Sequence, residues 1–513
     1  MAVLAAFLRR HALLVALCAG VLHSFAYAPL AWRWFAPVTL ALLFGLWMSV
    51  TPRRAAAIGF AFGAGLFLSG TYWIYHSVHT VAHAPAALAV LLMLGLVVIM
   101  ASYPALLGAA VTRFVSQPNS GWGSLAWPAG WVLLEWVRGW FLSGFPWLAL
   151  GYATLDTPLA GWVPVLGVYG ASLWVALLAL ALRQLFVVGS RTRLAMLVAA
   201  VVVVLAALGL SRLELTHPTG RFHTVALVQG AVAQDEKWEA AHRDHSFEVY
   251  RTLTEQSLGQ DMVVWPESAL PVLYHEAVPF LTPIYQAAQA RHTDLLLGLV
   301  RYDPERAGYR NGLVALSDGE TWYYKRRLVP FGEFFPVPEF VRGWMRGLDL
   351  FYVDFLPGDA DQPALTAAGE RIGATICYED AYATEQRAVL KDATLLVNVS
   401  NDAWFGDSSA PHQHLEITRM RALEAGRWLM RATNTGITAL IDPTGRVVAR
   451  SPQFVPAVLK GTVEARTGLT PYARFGNAPV GAVCGVFLLL AWLGRHGAVR
   501  RSGDHATRAA TPG

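Results

Sequence analysis

The chain has 513 residues, too many for one ordinary hydrophobic core, so we expect at least two structural units. Apolar residues make up 55% and charged residues only 15%, which excludes an intrinsically disordered chain and is typical of an integral membrane protein. The three cysteines exclude a disulfide framework and a Cys-rich zinc module. We attribute the net charge of +5 to basic cytoplasmic loops and not to nucleic-acid binding.

Eight apolar stretches approach or exceed the roughly 20 residues that a membrane-spanning helix needs. They lie at about 11–27, 32–50, 55–75, 86–111, 124–141, 160–187, 194–210 and 478–493. The fifth stretch is the weakest because Glu135 and Arg138 lie inside it. Their spacing of three predicts either an ion pair at membrane depth or a contact with lipid headgroups. A third interpretation places Arg138 near the end of the segment, with its charge extended to the interface.

The distribution of arginines predicts the topology of these segments. Arginines cluster beside alternate segment ends: Arg9 and Arg10, Arg53 and Arg54, Arg113, Arg191 and Arg193, and Arg495, Arg500 and Arg501. All clusters lie on one side if the N-terminus is cytoplasmic, and seven crossings then place the following domain outside the cytoplasm. The first segment could instead be a cleaved signal peptide ending at Ala26–Ala28, which would leave that domain on the same side.

The sequence therefore predicts three parts: residues 1–212 with seven spans, residues 213–475 as an extracytoplasmic soluble domain, and residues 476–513 with the last span and a cytoplasmic tail. In the soluble part, β-rich apolar runs alternate with helical stretches, which indicates an α/β domain whose sheet is covered on both faces. The runs lie at 223–229, 261–267, 294–300, 311–317, 371–379, 394–400 and 436–443, and the helical stretches at 236–258, 279–291 and 411–430.

Three reactive side chains stand at or beside the ends of such strands. Glu267 closes VVWPE, Lys325 follows TWYY, and Cys377 closes RIGATIC. Strand ends meet at one crevice in α/β folds, where a carboxylate can take the proton of a thiol and an ammonium can stabilise an oxyanion. A buried structural cysteine, a helix-capping glutamate and a solvated lysine would fit the same pattern without catalysis.

The local sequence around these residues resembles the nitrilase (carbon–nitrogen hydrolase) superfamily. VVWPES, YYKRRLVPFGEFFP and GATICYED are similar to the segments that carry its Glu–Lys–Cys triad. LVPFGE, EWVRGWFLSGFPW in the fifth span, RATNTG at 431–436 and the membrane helices resemble one branch, the bacterial apolipoprotein N-acyltransferases. The resemblance covers nearly the whole chain and implies an αββα sandwich attached to a polytopic helical membrane domain of about eight spans.

The resemblance also implies a reaction. A fatty acyl chain would move from the sn-1 position of phosphatidylethanolamine, through a Cys377 thioester, to the amino group of a lipoprotein's diacylglyceryl-cysteine. Glu267 would be the base and Lys325 the oxyanion partner, without metal or cofactor. The protein would be a monomer in the bacterial cytoplasmic (inner) membrane, with its catalytic domain on the periplasmic side.

Further residues match positions near the family's triad. Glu333 corresponds to an additional family glutamate, Tyr378 and Glu379 follow the nucleophile, and Trp238 corresponds to an aromatic near the lipid site. Glu333 and Glu379 could equally be structural carboxylates.

Two other functions remain open from the residues alone. One is a membrane-tethered amidase or nitrilase that uses water, and the other is a transporter or receptor with an inactive α/β sensing domain. Replacement of Cys377 by alanine distinguishes them, because a receptor would keep ligand binding.

Overall fold

The computed structural model describes residues 7–8, 10–48, 50–115, 121–185, 189–233, 243–334, 355–384 and 386–508, excluding the side chains of 386 and 495–508. The chain separates into two units. One comprises Met1–Leu213 with Phe475–Gly513, and the other comprises Glu214–Arg474.

The first unit is helical because its sequence is dominated by long apolar runs. Before the second unit it contains α1 (Ala12–Ser24), α2 (Phe35–Leu46), α3 (Pro52–Gly70), α4 (Trp73–His76), α5 (Ala86–Phe114), α6 (Ala126–Arg138), α7 (Val163–Gln184) and α8 (Ser190–Leu210). Glycines allow three of these helices to pack closely. A Cβ atom on Gly20 would lie 2.0 Å from the carbonyl oxygen of Phe62, and one on Gly59 would lie 2.3 Å from that of Pro104.

Only part of the predicted set of spans is long enough in the described residues. Three helices could cross a bilayer by length and apolarity, Ala86–Phe114, Pro158–Gln184 and Ser190–Leu210, and a bent pair, Pro52–Gly70 with Trp73–Val81, could form a fourth. The helices at the first, second and fifth predicted spans have 13, 12 and 13 residues. These apolar runs extend beyond the helices, and Tyr27 at the end of the first run is buried by the protein itself. The number of eight spans is not confirmed.

The second unit is an α/β domain with two six-stranded sheets. Its strands are β1 (His217–Gln229), β2 (Met262–Val264), β3 (Asp294–Asp303), β4 (Gly308–Leu316), β5 (Glu320–Tyr324), β6 (Leu365–Ala367), β7 (Glu370–Ile376), β8 (Leu395–Ser400), β9 (Leu429–Thr433), β10 (Ala439–Ile441), β11 (Val447–Arg450) and β12 (Ala457–Thr467). The sheet orders are β12-β1-β2-β3-β4-β5 and β11-β10-β9-β8-β7-β6. β12 returns antiparallel to β1 and pairs Thr467 with His217.

The two sheets pack face to face with helices on their outer faces. Inward side chains of both sheets form one apolar core, which includes Leu227 and Val264 from the first sheet and Ile372 and Val397 from the second. Helices α9 (Arg243–Glu255) and α10 (Tyr274–Gln289) cover the first sheet, and α11 (Ala410–Ala425) covers the second. The predicted α/β domain is confirmed, and strands inside the sheets such as β2 and β8 are near-continuously apolar because both of their faces are buried.

The helix predicted over 411–430 was too long. Helix α11 ends at Ala425, because Gly426 adopts a left-handed conformation with φ of 62° that terminates the helix, and β9 begins at Leu429. The chain then leaves this domain through the short helix α12 (Pro471–Phe475) and ends in α13 (Ala478–Arg508).

A buried carboxylate links the two sheets. Glu370 at the start of β7 is 2% exposed and accepts hydrogen bonds from two β1 residues, from Arg221 Nη2 at 3.0 Å and from His223 Nε2 at 3.0 Å. It also accepts one from the Thr394 hydroxyl at 2.7 Å. Burial raises the pKa of Glu370, but the hydrogen bonds from Arg221, Thr394 and His223 outweigh burial and lower it to about 2.

We expect Glu370→Gln to lower stability by about 2 kcal/mol, because charge-assisted hydrogen bonds between the sheets are lost. This corresponds to a decrease in melting temperature of roughly 4–8 °C for a domain of this size. Since the folded pKa is depressed, the contribution is present at neutral pH and is lost as the pH falls from about 4.5 towards 2.

Thermal unfolding of the detergent-solubilised protein measures this effect. Glu248→Gln is the matched control, since Glu248 pairs with Arg251 at 3.2 Å on the solvent-exposed face of α9. Equal melting temperatures for the two variants would contradict a linking role for Glu370.

Candidate active site

A buried ammonium lies at the centre of the candidate site. Lys325, which follows β5, is 1% exposed, and its Nζ lies 3.0 Å from Glu267 Oε1 and 2.9 Å from Glu333 Oε1. Burial lowers the pKa of Lys325, but the charges of Glu267 and Glu333 outweigh burial and raise it well above its usual value. The lysine is therefore a fixed cation between two carboxylates.

The backbone after β2 aims Glu267 into the site. β2 ends at Val264, and the backbone at Pro266 in the turn that follows lies directly against β3. Gly298 of β3 permits this approach, because a Cβ atom there would lie 2.1 Å from the carbonyl oxygen of Pro266. The second oxygen of Glu267, Oε2, accepts the backbone N–H of Asn401 at 2.9 Å, so both sheets hold this side chain.

Asn311 joins the two carboxylates, although it was not among the predicted site residues. Its Nδ2 donates to Glu267 Oε1 at 2.7 Å and to Glu333 Oε1 at 3.1 Å. Glu333 Oε2 accepts the backbone N–H of Val329 at 2.8 Å, which closes the turn formed by LVPFGE. A buried amide directly before the apolar run GLVAL of β4 is the sequence signal that could have indicated Asn311.

Cys377 directly follows β7 in a strained backbone conformation. Its φ is 52°, in the left-handed region that residues with a Cβ rarely adopt, and it is 8% exposed. Burial and the charge of Glu267 raise the pKa of the Cys377 thiol, while the ammonium of Lys325 lowers it less. The resting side chain is therefore a neutral thiol with a carboxylate and an ammonium in its electrostatic surroundings.

Glu379 supports the backbone around the thiol and does not contact Lys325. Its carboxylate accepts the backbone N–H groups of Ile376 at 2.7 Å and Arg326 at 2.6 Å, and the Tyr323 hydroxyl at 2.9 Å. Burial raises the pKa of Glu379 to about 7 against these hydrogen bonds. Tyr378 is half-buried in the 3-10 turn Cys377–Ala381.

The remaining predicted site residues lie in the helical unit or outside the described residues. Glu135 and Arg138 do not form the predicted direct ion pair. Glu135 accepts hydrogen bonds from Leu150 N at 2.8 Å and Ser172 Oγ at 2.7 Å, and Arg138 donates to the Trp147 carbonyl at 2.6 Å. Backbone groups of the segment after α6 bind both charged side chains, and Glu135 also accepts from the side chains of Ser172 and Trp131. Their predicted role in lipid binding stays a prediction.

Trp238 lies outside the described residues, so its predicted place near the lipid site stays a prediction. Within the described ranges, no group of three or more His, Cys, Asp or Glu side chains is placed to bind a metal ion.

Two family profiles match separate parts of the chain. The apolipoprotein N-acyltransferase N-terminal domain matches residues 19–181, and the carbon-nitrogen hydrolase domain matches residues 224–472. The second range contains Glu267, Lys325 and Cys377. The two profiles together cover most of the helical part and almost the whole α/β domain.

Relatives match over nearly the full length. An apolipoprotein N-acyltransferase from Methylococcus capsulatus is 39% identical over 98% of this chain and 99% of its own length. One from Chromobacterium violaceum is 42% identical over 94% of this chain and 93% of its own. A solved CN-hydrolase superfamily protein from Xanthomonas campestris is 17% identical with a TM-score of 0.35, covering 47% of this chain and 91% of that one. The full-length relatives therefore carry the family assignment.

The electrostatic surroundings of Cys377 predict opposite effects of two substitutions. Because the charge of Glu267 raises the pKa of the thiol, Glu267→Gln should lower that pKa and speed alkylation of Cys377 by iodoacetamide several-fold at pH 7.5. Because the charge of Lys325 lowers the same pKa, Lys325→Met should slow alkylation.

Alkylation is followed by intact-mass spectrometry with Cys377→Ala as the blank. In the parent protein the rate should still be rising with pH above 9, since the thiol pKa is raised. Slower alkylation of the Glu267→Gln protein, with an unchanged melting temperature, would contradict this electrostatic description.

Proposed function

The chain belongs to the apolipoprotein N-acyltransferase family, and from this premise we propose that it transfers a fatty acyl chain from a phospholipid to the N-terminal amino group of a lipoprotein. The donor is the sn-1 ester of a phospholipid such as phosphatidylethanolamine, and the acceptor is a diacylglyceryl-cysteine. The observation that carries the proposal is the buried Glu267–Lys325–Glu333 charge cluster in electrostatic contact with the Cys377 thiol.

In the first step Glu267 acts as a general base. It takes the thiol proton while Cys377 Sγ attacks the ester carbonyl carbon, which forms the C–S bond and a tetrahedral oxyanion. Lys325, kept cationic by Glu333, stabilises that oxyanion. The C–O bond then breaks, the lysophospholipid alkoxide takes the proton from Glu267, and a thioester remains on Cys377.

In the second step the lipoprotein amine attacks the thioester. Glu267 accepts a proton from the attacking nitrogen, the C–N bond forms, and the C–S bond breaks. The Cys377 thiolate takes the proton back from Glu267, which restores the resting thiol. The sequence from ester through thioester to amide is downhill overall, so no ATP is required.

The membrane setting supports a lipid donor. Long apolar helices in the first unit are consistent with an integral membrane protein. We further propose eight crossings, the cytoplasmic (inner) membrane and a periplasmic catalytic domain, on the basis of the arginine clusters and apolar runs of the sequence. The proposal treats the protein as a monomer, and places residues 213–475 as the catalytic part.

We expect incubation of the purified protein with phosphatidylethanolamine alone to add one fatty-acyl mass. The adduct should be released by hydroxylamine, because thioesters are labile to this nucleophile, and it should be absent from Cys377→Ala. Intact-mass spectrometry in detergent measures both properties.

The matched control is Cys484→Ala, which removes the buried cysteine of α13 in the first unit. It should form the adduct at the parent rate. Absence of an adduct, combined with hydrolysis of small amides, would replace the transferase by a membrane-tethered hydrolase. Absence of both activities would favour a receptor.

Glu333→Gln should separate charge from hydrogen bonding at Lys325. The amide oxygen can still accept a hydrogen bond from Nζ, but the second negative charge beside the ammonium is lost. We expect acyl-enzyme formation to slow by about 10- to 100-fold, as for the removal of a group that supports an oxyanion partner. The measurement is the initial rate of adduct formation, and an unchanged rate would show that Glu267 alone suffices to hold Lys325.

A further inference from the structure

Three buried polar side chains form a chain of hydrogen bonds behind Cys377. Arg431 of β9 donates from Nη2 to Asp402 Oδ2 at 2.8 Å, and Asp402 Oδ1 lies 2.9 Å from His414 Nδ1. His414 of α11 then reaches the backbone carbonyl oxygen of Cys377 with Nε2 at 3.1 Å. All three side chains are at most 1% exposed, so water does not compete for these bonds.

The partner of Nε2 defines one hydrogen on the His414 ring. The Cys377 carbonyl oxygen can only accept, so Nε2 carries a hydrogen and donates it. The other ring nitrogen, Nδ1, lies beside the carboxylate of Asp402. The charge of Arg431 and the contacts with His414 outweigh the effect of burial and keep the pKa of Asp402 below its usual range. The ring is therefore held at both of its nitrogens.

The carbonyl that His414 holds belongs to the peptide bond that follows the nucleophile. A peptide bond is planar, and in its trans form the C=O and N–H groups point in opposite directions. A hydrogen bond that fixes the Cys377 C=O therefore also fixes the direction of the Tyr378 N–H. The same bond polarises the peptide group and makes its N–H a stronger donor.

Cys377 needs such a restraint because its backbone is strained. A left-handed φ of 52° at a residue with a Cβ costs about 1–2 kcal/mol and persists only when neighbouring groups hold it. Glu379 accepts the backbone N–H of Ile376, the residue before Cys377, and His414 binds the backbone carbonyl oxygen of Cys377 itself. The nucleophile is thus restrained from both sides.

Resting on the acyl transfer proposed above, we propose that His414 is a positioning residue that directs the Tyr378 backbone N–H towards the oxyanion of the tetrahedral intermediate. Asp402 and Arg431 orient the imidazole ring. The rigidity of the network supports this role, since Arg431 Nη1 also donates to Asn398 Oδ1 at 2.6 Å and to Thr418 Oγ1 at 2.8 Å. His414 does not exchange a proton with the substrate.

The test compares His414→Gln with His412→Gln, a histidine on the same helix that is half-buried and for which no bond to Cys377 is present in the described residues. We expect His414→Gln to reduce the rate of acyl-enzyme formation by about 100-fold, as for a comparable misalignment of reacting groups, with the KM for phospholipid within twofold of the parent value. Alkylation of Cys377 by iodoacetamide should stay within about threefold, because the thiol itself remains. His412→Gln should match the parent protein in all three measurements.

A spectroscopic measurement distinguishes positioning from general support of the fold. In the acyl-enzyme made with isotope-labelled palmitoyl phospholipid, the infrared stretch of the thioester carbonyl reports hydrogen bonding to its oxygen. We expect this band at a higher frequency in the His414→Gln protein, because the Tyr378 N–H no longer points at the oxygen. An unchanged band and an unchanged acylation rate would overturn the inference.

Asp402→Asn provides a second variant if His414→Gln does not fold. The asparagine keeps the size of the side chain and an oxygen that can accept from the ring, but weakens the hold on it, so a smaller decrease of about 10-fold in acylation is expected. A decrease in alkylation equal to the decrease in acylation would assign the network to stability alone.

If the parent protein itself forms no acyl-enzyme, the proposed function fails and the positioning inference falls with it. If the parent protein forms the acyl-enzyme and the variants form it at the same rate, the proposed function stands and the positioning inference fails.

Discussion

The burial of one lysine determines much of the arrangement of this α/β domain. An ammonium removed from water needs opposite charge and hydrogen-bond acceptors, and Lys325 obtains both from Glu267 and Glu333. Bringing two carboxylates together is unfavourable by itself, so the cation and the amide of Asn311 between them make their approach possible. Burial and the charge of Glu267 raise the pKa of the Cys377 thiol beside this cluster, which favours its protonated form at rest.

This arrangement depends on two sheets and not on one. Glu267 and Lys325 leave the first sheet after β2 and β5, while Cys377 and Asn401 leave the second sheet after β7 and β8. The face-to-face core fixes the distance between these strand ends. The backbone N–H of Asn401, which follows the second sheet, donates a hydrogen bond to Glu267, which follows the first. A rotation between the sheets would therefore change the distance between Glu267 and Cys377.

The sequence was sufficient to predict the α/β class, seven of the strands and the proximity of Glu267 to Lys325, because strand ends and strongly patterned local motifs carry that information. The motifs did not single out Asn311, Asp402 or His414 as members of the site. The partners of Asn311 are 22 and 44 residues away, and the Cys377 partner of His414 is 37 residues away. Several helices of the first unit are shorter than the predicted spans, because an apolar run is typical of segments buried in protein as well as of segments buried in lipid. The helix predicted to 430 failed for a local reason, the left-handed Gly426.

The pairing of β1 with β12 has an evolutionary consequence. His217 and Thr467 are cross-strand neighbours, so the two ends of the domain emerge roughly 5 Å apart. A module with adjacent ends can be inserted into a host chain in place of a single loop, without stretching the host or interrupting its own sheets. The same geometry makes circular permutation feasible, with the old ends joined by a few residues and new ones opened at an exposed turn.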